Sequence, residues 1–509
     1  MKRLYFLAIT VALMFSSACN PDTFLERIPE NEITNGVFFK NPRDIELAMA
    51  GVYGSFSQGA YKVAVHTTTD VMDDDQETVS ELPFNRFIIQ AAKQPNAAYD
   101  QSWQWFFEAI FRANVVLYYI KDIEYPSEDQ KLKVEAEARF LRALAYFNLA
   151  NTWGMVPIYT EPLILLTEDY ILPQSTPEQV YEEIIYPDLN FAKEHLADND
   201  ITARADRGAA IALMGKAFLY EGKYEEAKTA FAEIVQNEGK YGYGLVNDLD
   251  EIISNQNQYN EESVFELAYI YENASNAWTK DFPNSGTGSL KTQYFAPAQI
   301  NGWENTWPTL NLVTEFEDGD PRKGAWMYQE GDTLLVKPLG ESDYRPFETT
   351  YDVSENRKNP DNRNGVSIRK GMVYYPGYYD VAGYEDNRIL IRYADVLLMY
   401  AEALAMTGQE GEAKMLINRV RQRAFGSDTF PTVEQYMADS GKDLMEAIKH
   451  ERRVEFCFEG TRFFDLKRWG DDVERLSPRG YKPYMEYLPI PPNEIVAAGG
   501  ILKQNQGYN

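Results

Sequence analysis

Apolar side chains return every three or four residues through most of the stretch from about Asn41 to Glu238, the spacing of an amphipathic helix. Trp105, Phe106, Ala109, Ile110, Ala113, Val116 and Leu117 make one such stripe, and a second helix reads from Lys133 to Thr152. Weaker helix pairs follow from Ala136 to Leu196, interrupted by a long connection through Trp153 to Thr176, and from Leu444 onward. Between about Gly239 and Asp386 the period is lost. Gly, Pro, Asn and Asp take over there with single aromatics among them, as in Asn284 to Gly288 and Asn356 to Asn364, which predicts loops and a few short strands. A loop region of that length in a compact protein is usually retained for binding.

Within the helical parts a repeat is visible. Ile211, Gly215, Phe218, Ala227 and Phe231 stand at the offsets of a tetratricopeptide unit, with Glu221 to Tyr224 as the turn, and Leu397, Ala401, Leu404, Ala413 and Ile417 repeat the scheme around Gly408. The small residues let two helices approach while the aromatics fill the space beside them. The fold class expected is all-α, a tetratricopeptide-like helical repeat scaffold carrying a long loop-rich insertion. Its parts are a helical region 19–240, a loop-rich ligand-facing region 241–386 and a helical region 387–509.

The start of the chain reads as an export signal, residues 1–18. Met1-Lys2-Arg3 is cationic, Leu4 to Phe15 is apolar, and Ser16-Ser17-Ala18 supplies small residues before Cys19. Twelve apolar residues are too few for a membrane span, which needs about 20. Cleavage after Ala18 would leave Cys19 first and open to lipid attachment, and the second cysteine, Cys457, would then have no partner. Several acyl chains together hold a protein on a bilayer durably.

With 44% hydrophobic residues in 509, the chain has ample core material. A net charge of −29 sets nucleic acid aside as a partner. The 35 Tyr, 27 Phe and 8 Trp exceed what a core of this size asks for, so some rings are expected to face a ligand. Four of the tryptophans, Trp278, Trp303, Trp307 and Trp326, fall in the loop-rich region beside Tyr294 and Phe295.

No catalytic arrangement has adequate spacing. His66, His195 and His450 are scattered, and the His450-Glu451 pair lacks the second histidine of a zinc helix. There is no serine elbow and no phosphate loop. Asp70, Asp73, Asp74 and Asp75 lack the glycine and final glutamate of a calcium loop, which leaves calcium a weak candidate beside a solvated acidic loop, and no other metal or cofactor is expected. Glu451, Arg452, Arg453 and Glu455 alternate in sign on one helix and are read as structural pairing charges, and Phe463, Phe464 and Trp469 as core.

Several blocks resemble a known family. Cys19-Asn-Pro-Asp-Thr-Phe-Leu-Glu26, Asp44 to Tyr53, Glu137 to Arg142 with Trp153 to Pro157, Arg392 to Leu398 with Tyr400 to Ala403, and Asn418 to Ala424 are similar to SusD/RagB outer-membrane lipoproteins. The most specific is Glu451 to Glu455 leading into Phe458 to Gly470, and Leu488 to Pro491 and Gln504 to Tyr508 resemble the family's end, with Gln506 where proline is common. The resemblance implies a non-catalytic lipoprotein, anchored through Cys19 in the outer membrane and exposed at the cell surface. It implies binding of oligosaccharides and their delivery to a SusC-like TonB-dependent transporter, with RagB-type peptide capture as the alternative; apart from the resemblance, 78 acidic residues leave a secreted glycoside hydrolase as a more remote one. In such a protein the ligand edge draws on the segment before the helix at Ser102 and on the irregular middle, which points to Asp73, Arg86, Trp103, Trp278, Tyr294, Trp303 and Trp307 as binding residues. Aromatic faces would take the apolar side of a sugar ring and polar groups its hydroxyls. Trp303 and Trp307, four apart, would share a face if their segment were helical.

Overall fold

The computed structural model describes residues 39–64, 72–78, 97–162, 171–199, 204–270, 288–297, 299, 302–336, 347–351, 365–372, 385–427 and 429–508. Ten principal helices carry the architecture: α1 Pro42–Gly54, α2 Ala97–Tyr119, α3 Glu128–Trp153, α4 Tyr186–His195, α5 Arg207–Tyr220, α6 Tyr224–Val235, α7 Tyr393–Met406, α8 Glu410–Phe425, α9 Leu444–Phe456 and α10 Arg462–Trp469. Each of several starts is set by a polar cap. Asn41 and Asp44 form a capping box at α1 with Pro42 behind it, Asp206 accepts from Ala209 N at α5, and Asp443 accepts from Glu446 N at α9. Successive helices pack on one another, α2 on α3, α3 on α4, α4 on α5, α5 on α6, and α6 on α7, so one apolar core runs through the helical stack.

The positions picked out by repeat spacing fall on two helical hairpins, α5 with α6 and α7 with α8. Gly222 and Gly408 turn them with φ of 69° and 81°, where a side chain would be strained. Gly215 has a packing reason as well: a Cβ there would stand 2.6 Å from the Phe231 ring, so α5 and α6 meet across a missing side chain.

The described strands, most of them in the loop-rich region, form short antiparallel ribbons of two strands each. β1 (Gln76–Thr78) pairs with β3 (Thr306–Pro308), β2 (Ser263–Leu267) with β8 (Arg388–Arg392), β4 (Met327–Gln329) with β7 (Val366–Ile368), and β5 (Thr333–Val336) with β6 (Phe347–Thr350). The region has a small core of its own, with Phe295, Leu312, Phe316, Trp326, Tyr351 and Ile368 packed on Val454, Cys457 and Phe458. Those last three belong to the end of α9 and the turn after it. Burial pushes the Cys457 thiol up to about 12, so it serves as an inert apolar group.

Loops and helices are joined by charge as well as by apolar packing. Glu451, Arg452, Arg453 and Glu455 are all at most 3% exposed. Arg322 reaches Asp320 at 2.7 Å, Glu451 at 2.6 Å and Glu455 at 3.0 Å. Arg392 meets Glu262 at 2.6 Å and Glu455 at 2.7 Å, while Arg423 meets Glu262 at 2.8 Å and also pairs with Glu455. Arg452 turns the other way, to Asp395 at 2.8 Å and Asp465 at 3.0 Å. Two glutamates at i and i+4 on α9 would repel. Arg322 between them removes the conflict. Burial opposes charge on Glu455, yet Arg423, Arg392, Arg322 and Lys370 hold its carboxyl well below the usual range.

His450 adds a titrating member. It stacks on Tyr436 with ring centroids 4.3 Å apart and lies 2.7 Å from Glu315 and 3.3 Å from Glu317, with Glu451 also bearing on it. Burial works against charge on all three. Nevertheless His450, with Arg453 and Lys442 for Glu315 and Arg421 for Glu317, brings both carboxyls down to about 2, and the glutamates raise His450 above 6.5.

Two outcomes are expected. Glu455→Gln leaves Arg392, Arg423 and Arg322 short of a counter-charge in the interior and should cost about 3–5 kcal/mol; chemical denaturation should show an earlier midpoint, and an unchanged one would mean the guanidinium groups are compensated without Glu455. The glutamate contributions are present above 4.5 and are lost as pH falls through about 2. The His450 contribution is full below 6.5 and is lost as pH rises through its raised value. Thermal melting should therefore weaken on the alkaline side of this window in wild type, and His450→Gln should flatten that limb; parallel curves for the two proteins would remove His450 from the balance.

Candidate functional site

Two of the residues expected at the ligand edge, Arg86 and Trp278, and the lipid-attachment candidate Cys19 lie outside the described residues. The others separate into interior and surface groups. Trp103 is 3% exposed on α2, edge-on to Trp153 with centroids 5.5 Å apart and 4.9 Å from Phe107. Its ring belongs to the helical core, so as placed it offers no face to a ligand. Trp307 is 4% exposed and sits in β3 opposite Glu77. Only Thr306–Pro308 of this segment is strand; Trp303 lies in the irregular stretch before it and left-handed Glu304 stands between the two rings, so Trp303 and Trp307 do not share a helical face. Trp326 is also interior, with the Lys370 ammonium 3.6 Å from the ring centroid.

The acidic segment departs from expectation too. Instead of a solvated loop, Asp73, Asp74 and Asp75 are all buried. Asp74 accepts from Arg462 at 2.8 Å and Asp75 from Arg453 at 2.8 Å. Asp73 Oδ1 accepts from the Asp75 N–H at 2.9 Å, which turns the chain at that point. Burial opposes the Asp74 charge, but the Arg462 hydrogen bond and the two guanidinium groups lower its pKa; Asp75, wholly enclosed, is raised by desolvation. Arg453 and Arg462 pair with Asp75 and Asp74, while Asp70 lies outside the described residues. Among the described residues no group of three His, Cys, Asp or Glu side chains could hold a metal ion.

Tyr294 and Trp303 are what remains at the surface. Both are half-buried, and their ring centroids lie 5.1 Å apart at 57°. A backbone clasp holds them side by side: Trp303 N donates to Gln293 O at 2.7 Å, Asn305 N to Tyr294 O at 2.9 Å, and Glu304 N to Ala296 O at 3.1 Å. Gly302 is required for this approach, because a Cβ there would stand 2.0 Å from Ala296 O. Glu304 takes a left-handed φ of 44° and is fully buried, accepting from the Tyr351 hydroxyl at 3.2 Å. The clasp rests on the loop-region core through Phe295 and Ala296 and runs directly into β3, which the β1 pairing ties to the arginine-held acidic turn. A rigid pair of rings is thus presented at the surface, the kind of platform that takes an apolar ring face. Gly302 beside Trp303 was the only sequence sign of the close approach.

Two family models match the chain. One, described as the SusD family, covers residues 261–484, and one described as starch-binding associating with outer membrane covers 23–219. SusD-like protein P25 of Formosa agariphila is 26% identical over 98% of this chain and 99% of its own length, and a SusD-like protein of Bacteroides ovatus is 24% identical over 92% and 83%. Among solved structures, a laminarin binding SusD-like protein superposes with a TM-score of 0.73 at 30% identity, covering 92% of this chain and 100% of that one. Surface glycan-binding protein A from Bacteroides thetaiotaomicron, in complex with laminarihexaose, shares the fold with a TM-score of 0.72 at 20% identity over 91% and 99% of the two chains. With likeness of this extent over both the helical stack and the loop-bearing part, the chain belongs to the SusD family.

Proposed function

We propose that this protein captures oligosaccharides outside the cell without transforming them, using the Tyr294–Trp303 pair as its stacking platform, and passes them to a SusC-like TonB-dependent transporter. The observation that carries the reading is the clasp itself: two half-exposed rings fixed by backbone hydrogen bonds in a chain of a glycan-binding family. Stacking on a preformed surface gives affinity with little ordering cost, and shallow contact permits release. The laminarin-binding relative makes laminarin the first glycan to try. The leader and Cys19 support anchoring at the outer membrane, on the outer face.

Native gels containing a panel of polysaccharides, laminarin among them, should retard the protein; retardation by none would shift the reading to RagB-type peptide capture. Trp303→Ala and Tyr294→Ala should each weaken binding about tenfold or more while the protein stays folded. Trp307→Ala is the contrasting variant. It removes an interior ring and should cost about 3–5 kcal/mol of stability. Equal glycan affinity in Trp303→Ala and wild type would exclude the clasp as the platform. For the anchor, Cys19→Ala should move the protein from the membrane fraction to the soluble one, and its retention on membranes would rule out the lipid tether.

A further inference from the structure

Asp386, two residues before β8, is 8% exposed, and neither of its carboxylate oxygens has a hydrogen-bond partner. Desolvation lifts its pKa to about 7, although Ser289, Lys291 and Arg388 stand near enough to favour its charge. Arg388 lays its guanidinium 4.9 Å from the centroid of the Tyr61 ring, and its buried Nη1 also lacks an acceptor. The third unmatched group is the hydroxyl of Tyr269, a side chain 4% exposed. All three residues line one cleft. Native folds leave few buried polar atoms without partners, and three around a single cleft point to a partner from outside the chain.

The chemistry of the three narrows that partner. Lys291 and Arg388 disfavour a cation in the cleft and Asp386 disfavours an anion. Glu459, which also lines it, is held by Lys370 at 2.6 Å and Arg392 at 2.9 Å. A neutral group with neighbouring hydroxyls fits: each O–H can donate to an Asp386 oxygen, while the hydroxyl oxygens accept from Arg388 Nη1 and the Tyr269 O–H. The cleft itself is small, about 20 Å³, and a second cavity of about 80 Å³, walled in part by Phe147 and Tyr220, shares Arg388 and Ile389 with it. Lys291, which lines the cleft, lies on the short helix Lys291–Phe295 that also carries Tyr294.

We propose that Asp386, Arg388 and Tyr269 form a polar subsite for paired hydroxyls of a saccharide whose ring faces are taken by Tyr294 and Trp303. This inference rests on the glycan-binding reading above. The test uses whichever polysaccharide of the panel retards wild type most. Asp386→Asn keeps the shape and removes an unpaired buried charge, so melting temperature should hold or rise, while affinity should fall about tenfold. Tyr269→Phe, which loses only the hydroxyl, should also bind more weakly. Wild-type affinity should rise as pH passes about 7, where the carboxylate becomes the stronger acceptor, and Asp386→Asn should flatten that profile. Folded Asp386→Asn protein binding as wild type, or a structure of the complex with only water on Asp386 and Arg388, overturns the subsite and leaves the glycan-binding reading standing. Wild type retarded by no polysaccharide overturns both, and shows itself before any variant is made.

Discussion

The structure depends on a lattice of charges that have been taken out of water around α9. Glu451, Arg452, Arg453 and Glu455 leave that helix in different directions, and each meets a partner on a different element: Arg322 in the loop region, Arg421 and Arg423 on α8, Asp395 on α7, and Asp74 and Asp75 before β1. An isolated charge in such a place would be very costly, and attraction offsets that only where partners are close and every donor is used. Removing one partner therefore strands several others. Such a lattice contributes less as net attraction than as a requirement that distant segments sit in one register.

That requirement gives the loops their rigidity. Short ribbons of two strands are barely stable alone. Here β1 and β3 are held because the turn before β1 is fastened to Arg453 and Arg462, and the segment after β3 is fastened through Glu315 and Glu317 to His450, Arg453 and Arg421. The Tyr294–Trp303 clasp is built directly onto β3. Under the proposed function, rings so supported would lose little freedom on binding, which offsets the small area of a shallow contact.

Helices were the most legible part of this chain because their signal is local. The stripe from Trp105 to Leu117, the Gly215–Phe231 contact and the hairpin turns at Gly222 and Gly408 all follow from spacing along one or two adjacent helices. Site residues were less legible for the opposite reason. Trp103, Trp303 and Trp307 are the same residue type in similar company, yet one ring lies in the helical core, one is half-exposed and one is interior. Nothing in composition separates them. The acidic run before β1 misleads in the same way, since a cluster of aspartates reads as solvated until the arginines that bury it, nearly 400 positions later, are seen beside it.

By itself the amino-acid sequence determined the fold class, the family and the structural character of the Glu451–Glu455 block. These follow from short-range periodicity and from motifs whose residues are near one another in the chain. Only the tertiary structure decided which aromatics reach the surface, which acids are neutralised and which polar groups are left facing a cleft. Each of those outcomes depends on what packs against a side chain from a remote segment, and burial, which sets both the availability of a ring and the charge of a carboxyl, is a property of that packing.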